Sequence, residues 1–260
     1  MSRPLTQLLA IAAIAALALT SPIIASATCW GGGGGGNWEW EFDWEWEAEW
    51  PEWPEEEWEE EKESLERDPI LFVHGWNGSS ATWSTMLNWF HGSGWPYLRL
   101  HVLEYDSSQS NVITAAEVEE RVWGILGTTG AKKVDLVTHS MGALSTRYFL
   151  KNFGGTSQVD DWVSLGGPNH GTNTAEFCFS AACQQMWIGS TFLSELNAGD
   201  ETPGAVNYRT WWSECDFTVN PDSSVWLSGA SANTKAASCP SHSGLHEDYA
   251  VYQQVKDFVK

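Results

Sequence analysis

The sequence predicts an α/β domain built on a doubly wound, mainly parallel sheet with helices on both faces. Three observations carry that expectation. From Pro69 onward, short apolar runs alternate with segments of helical period. One of those runs passes through a serine straight into a helical segment. Finally, the excess of tryptophan and acid lies ahead of the domain, which is left with an ordinary composition.

Taken in order, Ile70-Leu71-Phe72-Val73 is a short apolar run bounded by Pro69 and Gly75, as a buried strand requires. Ser80 to Phe90 puts Trp83, Leu87 and Phe90 on one helical face. Leu98 to Tyr105 reads as a second strand. Ala115 to Leu126 carries Val118, Val122, Ile125 and Leu126 at helical spacing. Val134 to Val137 is a third strand, and Met141 to Phe153 a helix stopped by Gly154-Gly155. Trp162 to Leu165 is a fourth strand, and Tyr208 to Trp212 is a further candidate. Val251, Val255 and Val259 mark a last helix, with Glu247 and Asp248 at its start and Lys256 and Lys260 at its end, as the helix dipole favours.

The residues ahead of this domain differ in kind. Residues 1–27 read as a secretory signal peptide: Arg3 supplies a positive start, Leu8 to Leu19 is an apolar run too short to span a bilayer, and Ala25-Ser26-Ala27 fits a cleavage site. The competing readings are an uncleaved anchor, weakened by Pro22 and the Thr20-Ser21 pair, and a lipid-modified Cys29, which Ser26-Ala27-Thr28 fits poorly. Residues 28–67 form a Gly-rich tether and an acidic, Trp/Glu-rich low-complexity arm. From Trp38 to Glu47 aromatic and acidic residues alternate strictly, a strand period with one aromatic face, whereas EEEWEEEKE at 55–63 is mostly carboxylate and favours disorder. Disorder is the expectation for the arm, and adsorption to a surface or substrate is its functional reading. The chain's net charge is −21, from 34 acidic and 13 basic residues. Of these, 16 acids and 2 bases fall in residues 37–68, together with seven of the 18 tryptophans. Such a charge argues against a nucleic-acid partner and against electrostatic attachment to anionic lipid.

The third strand runs into Thr138-His139-Ser140-Met141-Gly142 and then a helix. That strand–turn–helix context holds a serine hydroxyl above the sheet, and Gly142 and Ala143 supply the small neighbours that the close backbones need. A helix N-cap serine is the alternative. A serine nucleophile needs a base, and the base needs a carboxylate to orient it. The order serine, acid, histidine leaves His170, His242 and His246 as bases. His242 is favoured, because it lies in a loop before the last helix whereas His246 abuts the helix start. Asp216, after the candidate strand at 208–212, is the acid. Asp200, Glu201 and Asp222 read as turn residues beside prolines, and Asp160 and Asp161 precede a strand. His74-Gly75-Trp76 follows the first strand, which assigns the oxyanion-binding N–H groups to Trp76 and Met141 and leaves His74 as a structural hydrogen-bonder. Cys178 with Cys183 would close a short loop, and Cys215 with Cys239 would tie the acid loop to the base loop, leaving Cys29 over. No Cys/His metal spacing appears, so zinc chemistry is not expected.

These residues resemble the small secreted bacterial triacylglycerol lipases of class 2, within the α/β-hydrolase superfamily. The resemblance rests on PILFVHGW at 69–76, AKKVDLVTHSMGA at 131–143, WVSLGGPNHGT at 162–172, ETPGAVNYRTWWSECD at 201–216 and CPSHSGLHED at 239–248. It implies a minimal α/β-hydrolase domain over 68–260 and ester hydrolysis without a cofactor. The family's nucleophile falls on Ser140, its acid on Asp216, its base on His242 and its oxyanion donors on Trp76 and Met141. It bears on the substrate as well, expected to be a lipid ester; a monomer and, from residues 1–27, an extracellular location are the further expectations. Residues 168–207, where larger lipases place a lid, are expected to hold little or no mobile lid. Trp76, Trp187, Trp211 and Trp212 are candidates for an acyl wall, with core packing as the alternative for each. Two other functions stay open: a hydrolase of solid polyesters of the cutinase or polyhydroxyalkanoate depolymerase type, and an adhesion protein with an inactive hydrolase scaffold.

Overall fold

The computed structural model describes residues 66–259. The signal peptide and all but the last two residues of the tether and arm (residues 1–65) lie outside them.

Six parallel strands form one sheet: β1 (Ile70–Val73), β2 (Leu100–Leu103), β3 (Val134–His139), β4 (Val159–Leu165), β5 (Asn207–Trp212) and β6 (Ala232–Lys235). Their order is β2-β1-β3-β4-β5-β6. The chain moves outward from β1 to β2 and returns across β1 to β3, so the order reverses between β1 and β3. Crevices at the carboxyl ends of strands beside such a reversal are where open α/β sheets place ligands.

Helices cover both faces. α1 (Ser84–Gly92) and α6 (Tyr249–Phe258) pack on one, and α2 (Asn111–Thr129), α3 (Gly142–Asn152) and the short α5 (Thr191–Leu196) on the other. Alternation along β1 divides its side chains between the two layers. Ile70 and Phe72 join Met86, Phe90, Val251 and Val255, while Leu71 and Val73 join Val118, Val122, Leu144 and Phe149. Burial on two sides explains why β1 is apolar without a break.

Differences from the sequence-based boundaries have local causes. β2 is shorter than expected because Tyr97–Arg99 forms a 3-10 turn before it. α2 is longer at both ends: the Ser110 side chain accepts the Val112 N–H at its start, and Gly130, at φ 68°, ends it. β4 begins at Val159, so Asp160 and Asp161 lie inside the strand rather than before it. α6 begins where expected, with the Asp248 side chain accepting the Val251 N–H. Between β4 and β5 lie a 3-10 turn (Asn173–Phe177), α4 (Ala181–Gln185) and α5. Disulfides join Cys178 to Cys183 and Cys215 to Cys239, the two pairings that the spacing suggests. Among the described residues, no helix is long and apolar enough to cross a membrane.

Candidate active site

Ser140 directly follows β3 in the left-handed region, at φ 55°, a conformation that costs a non-glycine residue about 1–2 kcal/mol. Its backbone is fixed there from both sides. The Ser140 N–H donates to Leu165 O of β4 at 2.9 Å, and Ser140 O accepts from the Ala143 N–H at 3.1 Å. The turn therefore lifts the side chain off the sheet and starts α3 at once.

Two glycines let the loop after β1 meet this turn. A Cβ on Gly75 would lie 2.5 Å from Ser140 Cβ and 3.1 Å from its Oγ. A Cβ on Gly142 would lie 2.6 Å from the carbonyl oxygens of Val73 and His74. Trp76 follows Gly75, and Met141 lies between Ser140 and Gly142, so both expected oxyanion donors sit at this close approach. Among the described residues, neither the Trp76 nor the Met141 backbone N–H donates to a protein acceptor. Buried His74 donates from Nδ1 to Gly75 O at 2.9 Å and stacks on Tyr105. Burial holds its pKa below the usual imidazole value.

Asp216 and His242 come together from loops that follow different strands. His242 Nδ1 donates to Asp216 Oδ2 at 2.7 Å. Asp216 Oδ1 accepts two backbone N–H groups, from Thr218 at 2.9 Å and Val219 at 3.1 Å. The carboxylate is thus oriented from both oxygens while 4% exposed. With Nδ1 carrying the proton, Nε2 is left as the acceptor. The Cys215–Cys239 bridge holds the loop of Asp216 to the segment that leads into His242. Ser140 and His242 line one cleft, together with Trp76, Thr172, Met186 and Val219.

The other candidates lie elsewhere. His170 Nε2 donates to Glu201 Oε1 at 2.9 Å, and both line a separate depression with Trp226. Glu201 is therefore an ion-pair partner as well as a turn residue. His246 packs its ring on Trp83 and His139. Of the four tryptophans considered for an acyl wall, only Trp76 lines the cleft. Trp211 is fully buried and donates to Gln254, Trp212 packs on Trp226, and Trp187 donates to Ala175 O.

One neighbour of the site was not anticipated. His139 Nε2 donates to the backbone carbonyl of His242 at 3.0 Å, with the two ring centroids 4.7 Å apart. Burial, reinforced by His242 and His246, holds His139 well below the usual imidazole range, so it stays neutral and keeps its single N–H for that bond. Its place next to Ser140 was the one available signal, because β3 delivers its last side chain to the same end of the sheet.

Comparison with known proteins agrees with this architecture. The family described as Lipase (class 2) matches residues 67–257. Mature lipase BlEst2 of Bacillus licheniformis superposes with a TM-score of 0.65 at 18% identity, over 75% of this chain and 93% of that one. Lipase B of Aspergillus fumigatus gives 0.61 at 19% identity, over 71% and 51%. The lin2722 gene product of Listeria innocua gives 0.57 at 13% identity, over 75% and 94%. At these identities the likenesses establish the α/β-hydrolase fold. The family match runs through Ser140, Asp216 and His242 and takes in nearly all of the described residues, and the chain accordingly belongs to the class 2 lipases, a family of lipolytic hydrolases.

Proposed function

We propose that this protein is a secreted carboxylic ester hydrolase acting on acylglycerols or related lipid esters through Ser140, His242 and Asp216. The observation that carries the reading is a 2.7 Å hydrogen bond from His242 to Asp216, with His242 lining the same cleft as a serine held at positive φ. Ser140 Oγ attacks the ester carbonyl carbon as His242 Nε2 takes its proton. Asp216 keeps the imidazole in the required tautomer and stabilises the imidazolium. The N–H groups of Trp76 and Met141 hold the oxyanion. His242 then gives the proton to the leaving alcohol, and an acyl group stays on Ser140. Water, deprotonated by His242, releases the acid and restores the serine.

Two disulfides fit an oxidising compartment, and residues 1–27 are the proposed export signal. The arm is proposed to adsorb to substrate surfaces without a part in the chemistry. The test is Ser140→Ala, expected to abolish hydrolysis of p-nitrophenyl esters while the circular dichroism spectrum is kept. Undiminished turnover by that variant overturns the assignment.

A further inference from the structure

The shape of the Ser140 cleft carries a second inference, which rests on the ester-hydrolase reading. The cleft holds about 140 Å³, well below the roughly 300–1,000 Å³ typical of sites that enclose a drug-sized ligand. That is room for a short acyl chain rather than a long one. One wall comes from the stretch that runs from the 3-10 turn at 173–177 through α4 to its C-cap, with Ala175, Cys178, Cys183 and Met186 on the cleft. Thr218 and Val219, just past Asp216, also line the cleft.

That wall is braced rather than free to swing. The Cys178–Cys183 bridge closes it across the start of α4. The Thr172 N–H donates to Met186 O at 2.9 Å, and Trp187 Nε1 donates to Ala175 O at 2.8 Å. Thr172 Oγ1 donates to Thr218 O at 2.7 Å, which ties this wall to the loop that carries Asp216. Ala175, Cys183 and Met186 are all buried in the core layer beneath α2 and α3. Widening the cleft would open that packing. The chain neighbours of the cleft-lining residues are apolar and exposed, and they do not line the cleft: Phe177 and Phe179 flank Cys178 at 87% and 75% exposure, and Phe217 precedes Thr218 at 85%. The apolar surface that could hold a long chain is therefore outside the cleft.

We infer that the disulfide-closed segment from Thr172 to Met186 is the acyl-specificity wall, that Met186 and the Cys178–Cys183 bridge end the acyl channel, and that the enzyme prefers acyl chains of about four to six carbons. Each methylene that enters an apolar cleft improves binding of the transition state about fourfold. A chain that has passed the wall gains little more.

The experiment measures kcat/KM for soluble p-nitrophenyl esters from acetate to decanoate, each kept below its solubility limit. For the native protein the value should climb about fourfold per carbon and break at butyrate to hexanoate. Met186→Ala should move the break outward by two or three carbons, and Met186→Phe should move it inward. Cys178→Ser combined with Cys183→Ser should blunt the break, because the wall loses its closure. A native profile that climbs steadily to decanoate, or a break unmoved in both folded Met186 variants, overturns the inference. Stoichiometric labelling of Ser140 by diethyl p-nitrophenyl phosphate, read by mass spectrometry, separates the two levels. A native protein that is neither labelled nor active sinks the ester-hydrolase reading itself. Labelled, active variants with an unmoved break sink only the wall.

Discussion

The two ends of the parallel sheet both bury carboxylates, under opposite conditions. At the carboxyl end Asp216 accepts two backbone N–H groups and the His242 imidazole. At the amino end, Asp68 precedes β1, Asp135 lies at the start of β3, and Asp160 and Asp161 open β4. There Asp135 accepts the Asp161 N–H, Asp161 accepts from Asn207, and Lys133 pairs with Asp160. Burial pushes Asp135 well above the usual carboxylate range, with Asp161 and Asp68 adding repulsion. Burial likewise pushes Asp161 up to about 6. Burial alone thus does not make a carboxylate useful. Asp216 is surrounded by donors aimed at both oxygens, whereas the amino-end group shares few donors among four acids.

That contrast predicts that substitutions at the carboxyl end act on turnover. The largest effect belongs to Asp216→Asn. It keeps the shape but removes the charge that orients the imidazole, so kcat should fall on the order of 10³–10⁴-fold with Tm little changed. Gly75→Ala should come next, because its methyl would have to share space with Ser140 Cβ 2.5 Å away. Displacing the proposed nucleophile by a fraction of an ångström should reduce kcat on the order of 100-fold, and steady-state kinetics on one soluble ester measures it. His139→Ala should cost about tenfold, the equivalent of one hydrogen bond to the His242 carbonyl. His139→Gln, which retains an amide donor, should recover most of that loss. Equal losses in both variants would mean that the ring matters for packing and not for its N–H.

How much of this was legible in the sequence differs by the kind of residue. Ser140 was legible because a strand, a turn and a helix leave a compact pattern of apolar, polar and small residues. Asp216 and His242 were legible through chain order and through the cysteines beside them. The cleft walls were not. Large aromatic residues were the obvious candidates, yet Trp211 went to the core and Trp212 to a neighbouring tryptophan. Trp76 lines the cleft as expected, but the rest of the lining comes mainly from modest residues such as Thr172, Ala175 and Val219. Their loops follow hydrogen bonds and a disulfide rather than any period. β6 was missed for a related reason. Its sequence, Ala232-Asn233-Thr234-Lys235, has almost no apolar content because it is the exposed edge of the sheet.

The smallest predicted effect tests the amino end, through Asp161→Asn. The folded-state pKa of Asp161, about 6, lies above its ordinary value of 3.8. Its contribution to stability is therefore fully present below about pH 4 and is lost as the pH rises through about 6, where the buried group must ionise. The penalty above that window is at most about 3 kcal/mol. Asparagine keeps an acceptor for the Asn207 amide and cannot ionise. The variant should therefore melt a few degrees higher than the native protein at pH 8, equal it near pH 4, and show a flatter Tm profile between those values. Its kcat on soluble esters should be unchanged, because the strand separates this carboxylate from the Ser140 turn. A native Tm that does not fall between pH 4 and 7, or a variant with altered kcat, would remove the distinction drawn between the two ends: the first would show that the amino-end acids are adequately solvated, and the second that charge at the start of β4 is felt at its far end.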